Sequence, residues 1–470
     1  MSTALFWFRR DLRLSNNPAF TEACNNHQVV IPIFILDKKI AALGQAQQWW
    51  LHYSLLSLEQ SLKKRGLKLV LRSGDSFKII EELSHKLSIN TVYWNRCFEP
   101  LMLQEDYKIS SMLRHMEVEV EEFNGSMLID PGKITNKAGD YFKVFTPFWR
   151  HCLTTLVKPH LTNLINHPEG HELVSDPLQD WELLPKKPDW ALNFKDYWQP
   201  GEKAAQQKLK QFIETQLYGY TKNRDILAKD ATSKLSPHLH FGEISPWDLW
   251  HAVEIARLDQ NCDLASAERF LAELGWREFS TYLLYHFPQL PQANFRTEFN
   301  KFPWQNPENC LERWQKGTTG FPIVDAGMRE LWATGYMHNR VRMIVASFLC
   351  KDLLIDWRCG ADWFLDTLVD ADLASNSASW QWVAGSGVDS APYFRIFNPL
   401  LQSQKFDPEG AYIRKWVPEL ATLNSQLIHQ PWTATDLTLL NGYPRPIVDH
   451  GEARKRALAI YKSLTERTKI

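Results

Sequence analysis

The sequence predicts an α/β N-terminal domain, a doubly wound, Rossmann-like parallel sheet, joined by a long linker to a larger all-helical domain. Three observations carry this expectation. Over the first 130 residues, short apolar runs alternate with segments of helical period, as in successive β–α–β units. From about Asn136 to Lys203 prolines and scattered polar residues break that pattern. Beyond Gly201 the period is helical almost throughout, with Pro and Gly as punctuation. The expected domains are therefore residues 1–130, 131–203 and 204–470.

Taken in order, Ala4–Phe8 reads as a first strand, followed by a turn-rich stretch ending in Asn16-Asn17-Pro18. Val29–Leu36 is an almost unbroken apolar run, as expected of a strand covered on both faces. Leu51, Leu55, Leu58 and Leu62 mark one face of a helix over Gln45–Arg65, stopped before Gly66. Strand Leu67–Leu71, helix Ser76–Leu87, strand Thr91–Trp94, helix Leu101–Met116 and strand Val118–Phe123 complete the alternation. Such a sheet binds ligands at the carboxyl ends of its strands. The first strand is followed by no G-x-G-x-x-G, so NAD is not the expected ligand.

Composition narrows the class further. No run of about 18 apolar residues is present, which argues against a membrane span. The N-terminus lacks the order of a signal peptide, so the expected location is the cytoplasm. The seven cysteines are dispersed without a C-x-x-C pair, which argues against a disulfide framework and against a metal site. The net charge is −1, so any binding of nucleic acid must rest on a local basic patch. The 20 tryptophans suit a large aromatic core, with stacking or electron transfer reserved for particular positions.

Those positions emerge from the motifs. Thr232-Ser233-Lys234-Leu235-Ser236-Pro237 clusters hydroxyls ahead of a helical pattern, where they would cap the helix and leave backbone N–H groups for an anion. Downstream stand Gly317-Thr318-Thr319-Gly320-Phe321-Pro322, Met337-His338-Asn339-Arg340-Val341-Arg342-Met343, Asp370-Ala371-Asp372-Leu373-Ala374-Ser375-Asn376 and Trp380-Gln381-Trp382. In this order and spacing the segments resemble the photolyase/cryptochrome family, closest to bacterial class I cyclobutane pyrimidine dimer photolyases. The likeness runs from Phe6-Trp7-Phe8-Arg9-Arg10-Asp11, through Lys143-Val144-Phe145-Thr146-Pro147-Phe148, to Pro392-Tyr393-Phe394-Arg395-Ile396-Phe397-Asn398-Pro399.

On a helix, Asn376 and Trp380 share a face from which Trp382 points away, so one side can meet a flavin and the other a second partner. The resemblance implies FAD as cofactor, with Asn376 beside flavin N5 and Trp380 nearest the ring. Trp357 and Trp304 then continue an electron-hopping chain toward the surface. It also places Tyr220, Thr232, Ser233, Lys234, Leu235, Ser236, Phe270, Arg342, Asp370, Ala371 and Asp372 around the FAD, with Arg342 paired to one of the two aspartates. Glu273, Trp276 and Arg277 are spaced i, i+3, i+4 along one helix face and offer an acid, an aromatic platform and a cation to an extruded lesion. Asn339 and Met343 stand where relatives that repair (6-4) photoproducts carry histidines, which favours the cyclobutane dimer. Arg224, Arg340 and Gln402 match positions that contact DNA, and Trp382 would line the lesion pocket opposite Trp276.

The activity so implied is light-driven repair of dimers in UV-damaged DNA, single- or double-stranded, by a monomer. The dimer is flipped out of the stack, excited reduced flavin lends it an electron, the ring splits and the electron returns. Glu273, if protonated, would stabilise the dimer radical anion. A second, light-harvesting chromophore is usual in the family. Folate-binding relatives carry an Asn-Glu pair shortly after the acid at Glu99, whereas this chain has Leu101-Met102, so 5,10-methenyltetrahydrofolate, a deazaflavin and no antenna all stay open. The alternative is a cryptochrome-type photoreceptor with FAD but no repair, disfavoured by Glu273, Trp276, Asn339 and Trp382 and by the lack of a long tail. A plain flavin oxidoreductase would need a nicotinamide site that the sequence does not offer.

Overall fold

The computed structural model describes all residues except 1, 38–42, 158–163, 261, 306, 391–393 and 467–470, so Pro392 and Tyr393 lie outside the described residues. Five parallel strands, β1 (Thr3–Phe8), β2 (Val29–Leu36), β3 (Val70–Ser73), β4 (Thr91–Asn95) and β5 (Glu119–Phe123), form one sheet in the order β3-β2-β1-β4-β5. Thr3 pairs with Val29 and Ala4 with Thr91, so the strand order reverses beside β1. The crossovers are helices α1 (Pro18–Asn26), α2 (Gln45–Lys63), α3 (Ser76–Lys86) and α4 (Pro100–His115). This is the expected doubly wound α/β sheet.

One local expectation holds and one is corrected. The turn-rich stretch up to Asn17 is as expected and hands over to a helix at Pro18: Asn17 Oδ1 accepts the Phe20 N–H at 3.1 Å and Pro18 occupies the first turn, where its missing N–H costs nothing. β3 lies at Val70–Ser73 rather than Leu67–Leu71. Its outer edge is covered by the stretch expected to be a linker. Ser175 Oγ accepts from the Leu71 N–H at 2.8 Å, Asp176 Oδ2 accepts from the Ser73 N–H at 2.7 Å, and the Asp176 N–H donates to the Leu71 carbonyl. An edge so covered offers no template for another strand.

Past β5 the named elements are helical: α5 (Phe145–Thr155), α6 (Glu202–Thr215), α7 (Pro246–Leu258), α8 (Leu264–His286), α9 (Pro322–Thr334), α10 (Asn339–Ser347), α11 (Trp357–Thr367), α12 (Leu373–Ala384), α13 (Pro399–Phe406) and α14 (His450–Glu466), with shorter helices such as Glu308–Gln315 and Ala411–Trp416 between. A π-helical turn, Phe348–Asp352, continues α10. The chain packs as two compact units. The first comprises Met1–Trp190, Trp198–Tyr218 and Ser233–Pro288, the second Ala191–Tyr197, Gly219–Thr232 and Gln289–Ile470. Neither residue 130 nor residue 203 is an edge of these units. Among the described residues no helix is long and apolar enough to cross a membrane, and no His/Cys/Asp/Glu cluster suits a metal ion.

Candidate functional site

In the second unit the site is built around α12. Asp372 is its N-cap, accepting the Ser375 N–H at 2.8 Å, and Gly385 at φ 93° ends it. Lys351, turned inward by the π-helical turn, donates to the Ala384 carbonyl at 2.7 Å and lies against the Phe394 ring. A cation at that end complements the helix dipole, although burial pushes the Lys351 amine well below its usual range. Asn376 and Trp380 are buried on one side. The Asn376 amide donates to the Ala361 carbonyl at 3.0 Å, and Trp380 packs edge-on to Phe364 at 5.0 Å and to Trp314 at 6.3 Å. Trp382 is half-buried; its Nε1 donates to the Asp389 carbonyl at 3.1 Å, and Arg395 lies 5.6 Å above its ring. The divided helix face is as the spacing predicts.

Arg342 pairs with Asp370 rather than Asp372. Its Nη2 lies 2.9 and 3.0 Å from the two carboxylate oxygens, and its Nε donates to the Met337 carbonyl at 2.7 Å. Ala371 is buried between the two aspartates in sequence. Thr232 hydrogen-bonds Tyr336, whose phenol burial pushes up to about 12. Trp357 is fully buried and donates through Nε1 to Asn294 Oδ1 at 2.9 Å, while Trp304 is half-buried, 4.3 Å from Phe302. Trp380 and Trp357 belong to one apolar cluster and Trp304 packs at its margin. No sequence motif points to Gly360, where a Cβ would overlap the Trp380 ring.

The expected DNA-contacting residues of this unit are more engaged than solvated surface groups would be. Arg224 is buried, with Nη1 3.3 Å from the Tyr220 hydroxyl, itself buried. Arg340 donates to Asp225 Oδ2 at 2.8 Å, packs over Phe406 at 4.6 Å and meets Met343 Sδ at 3.8 Å. Asn339 is exposed at the first turn of α10, and Gln402 is half-buried on α13, the helix of Phe406. His338 Nδ1 accepts the Arg340 N–H at 3.1 Å, so its proton sits on Nε2 and is donated to the Arg224 carbonyl at 2.8 Å. Burial pushes this imidazole down to about 4.

In the first unit the hydroxyl cap expected before Pro237 does not form. Leu235 occupies the cap position of the short helix Ser236–His240 without a side-chain cap bond, while Ser233 Oγ takes the Leu235 N–H at 3.4 Å. Lys234 sits at φ 51°, a left-handed conformation that costs a non-glycine residue. On α8, Phe270 is buried against Phe212 at 4.5 Å. Glu273 pairs with Arg269 at 3.2 Å, not with Arg277. Arg277 Nη1 lies 3.3 Å from Met127 Sδ and 3.3 Å from Glu278 Oε1. Trp276 is half-buried, with the Phe145 ring stacked on it at 3.8 Å and 9°. Glu278, unnoticed in the sequence, is buried, accepts the Leu128 and Ile129 N–H groups at 3.0 and 3.2 Å, and is pushed up to about 7 by burial.

At the carboxyl ends of β1 and β2 a small cavity is lined by Arg9, Arg10, Phe34, Leu51, His240 and Phe241, where a doubly wound sheet is expected to take a ligand. Arg10 is ion-paired with Glu99, Leu101 is exposed and Met102 is buried.

Comparison with known proteins gives the same picture. A family model described as the FAD binding domain of DNA photolyase matches residues 270–463, and one described as DNA photolyase matches residues 4–166. The deoxyribodipyrimidine photo-lyase of Agrobacterium fabrum is 48% identical, covering 99% of this chain and 98% of that protein. Cryptochrome-1 of Arabidopsis thaliana is 36% identical, covering 96% of this chain and 69% of that protein. The solved structure of a class III photolyase from Agrobacterium tumefaciens is 47% identical with a TM-score of 0.95, covering 99% of this chain and 98% of that one. The family is the one the motifs imply; that solved relative is of class III, whereas the motifs resemble class I.

Proposed function

Because the chain belongs to the photolyase/cryptochrome family, we propose that it is a light-driven deoxyribodipyrimidine photo-lyase that repairs cyclobutane pyrimidine dimers in DNA. The observation that carries this reading is the two-sided α12, with Asn376 and Trp380 buried on one side and Trp382 half-buried on another. FAD, when bound in its reduced form, supplies under light the electron that splits the dimer. The donor set suits that group. The Arg342–Asp370 pair presents fixed charge at a polar cofactor edge, and the Ala361 carbonyl fixes the orientation of the Asn376 amide. Ala371, Asp372, Tyr220 and Thr232 in this unit, and Ser233, Lys234, Leu235, Ser236 and Phe270 in the other, are its proposed neighbours. Trp380, Trp357 and Trp304 relay electrons inward, helped by their apolar surroundings.

Residues proposed to meet DNA are Glu273, Trp276 and Arg277 in the first unit, and Arg224, Asn339, Arg340, Met343, Trp382 and Gln402 in the second. Flipping the dimer out of the stack costs a few kcal/mol, less for a damaged base, which contributes to selectivity. Glu273 then hydrogen-bonds the reacting bases; a Glu273→Gln variant with a repair yield above native would overturn that role. Where an antenna is bound, folate or deazaflavin, the α/β domain is its proposed holder.

The test is incubation of the flavin-loaded protein with dimer-containing DNA in the dark and under blue light. Dimer loss only in light is expected. No repair with intact photoreduction would point to a receptor, the second reading, which the likeness to plant cryptochrome favours.

A further inference from the structure

The segment Lys143–Phe148 matches the family yet has no part in the scheme above. It forms the start of α5, with Pro147 in the first turn, where a proline is tolerated. Phe145 and Trp149 are i, i+4 on this helix and project together. Phe145 lies parallel to Trp276 at 3.8 Å and 9°, and Trp149 lies parallel to Phe145 at 6.5 Å and 13°. Trp149 is buried against Gly275, where a Cβ would stand 2.6 Å from the indole, so only glycine admits the ring there. Trp250 meets Trp149 edge-on at 6.2 Å and 70°. The result is a stack of three aromatic rings, closed behind and ending on the half-buried Trp276.

An indole has two faces, and Phe145 covers one of those of Trp276. A single aromatic ring on a half-buried helix face samples several rotamers; a parallel partner removes that freedom before any ligand arrives. We propose that Phe145 is a positioning residue for lesion recognition, a back wall that holds the plane of Trp276 so that the flipped-out dimer stacks on the other face. This rests on the assignment of Trp276 as the lesion platform.

The test uses the flavin-loaded full chain and duplexes with and without a thymine dimer, carrying 2-aminopurine opposite the lesion to report flipping. Phe145→Leu, which keeps bulk but removes the ring plane, is expected to weaken dimer binding about threefold to tenfold, the range of one aromatic pair. Flipping fluorescence should fall with it, while affinity for undamaged DNA and flavin photoreduction stay native; Phe145→Tyr should restore both binding and flipping. A Phe145→Leu variant with native preference for the dimer, or one that loses affinity for both duplexes equally, overturns the proposal, as does failure of Phe145→Tyr to restore it. Should Phe145→Leu lose its flavin, Phe145→Tyr and Phe145→Met decide by the same ratio. A native chain that does not prefer the dimer sinks the functional reading itself; native preference retained in the variants sinks only the role of Phe145.

Discussion

Helices α12 and α8 both carry residues of the proposed chemistry, yet they are held in different ways. α12 is capped at both ends, by Asp372 and by Lys351, and its Asn376 and Trp380 are buried. The proposed residues of α8, Glu273, Trp276 and Arg277, are half-buried. They are steadied by partners on the same helix, such as Arg269, and by others far along the chain, such as Met127 and Phe145. The difference teaches that the proposed flavin face of α12 is preorganised by packing, whereas the proposed DNA face of α8 keeps exposure and gains order from side-chain contacts. In the proposed chemistry, a group that must not move during electron transfer and one that must admit a bulky lesion call for these two solutions.

The largest blow to the rigid side should come from Asp370→Asn, which leaves the Arg342 guanidinium without its counter-charge. A loss of about 3 kcal/mol in urea unfolding, with weakened flavin retention, is expected; native stability would mean that solvent screens the pair. Next, pH should separate the two units. His338 is held down to about 4, below its unfolded value, so its contribution is full above about pH 6.5 and is lost as pH falls toward 4. Glu278 is held up to about 7, so its contribution is full below about pH 4.5 and is lost as pH rises toward 7. Each amounts to about 3 kcal/mol at the far end of its window. Stability profiles of Glu278→Gln and His338→Gln should therefore differ from native in opposite directions; parallel changes would refute the contrast.

Gly360→Ala forces Trp380 aside and should cost about 1–3 kcal/mol by thermal unfolding, with slowed photoreduction. Unchanged photoreduction would show that the indole has room to yield. The smallest effect is expected of Asp225→Asn, which releases Arg340 toward phosphate. The slope of log affinity against log salt should steepen by about 1. An unaltered slope would leave Arg340 outside the DNA footprint.

Much of this was legible in the chain itself. The periods of Val29–Leu36 and of Leu51, Leu55, Leu58 and Leu62 announced the strand and helix they form, because burial on two faces or on one is written locally. The motifs were enough to identify the family, and i, i+4 spacing alone set Asn376 and Trp380 apart from Trp382. Pairing was not legible. Arg342 could have met either aspartate; it meets Asp370, while Asp372 caps α12. Glu273 turns back to Arg269, Arg340 is held by Asp225, and Phe145 lies on Trp276. Periodicity, caps and turn chemistry depend on neighbours within a few residues, so the sequence determines them. Which ring covers which, and which carboxylate holds which guanidinium, depends on packing between segments distant in the chain, so only the tertiary structure decided it.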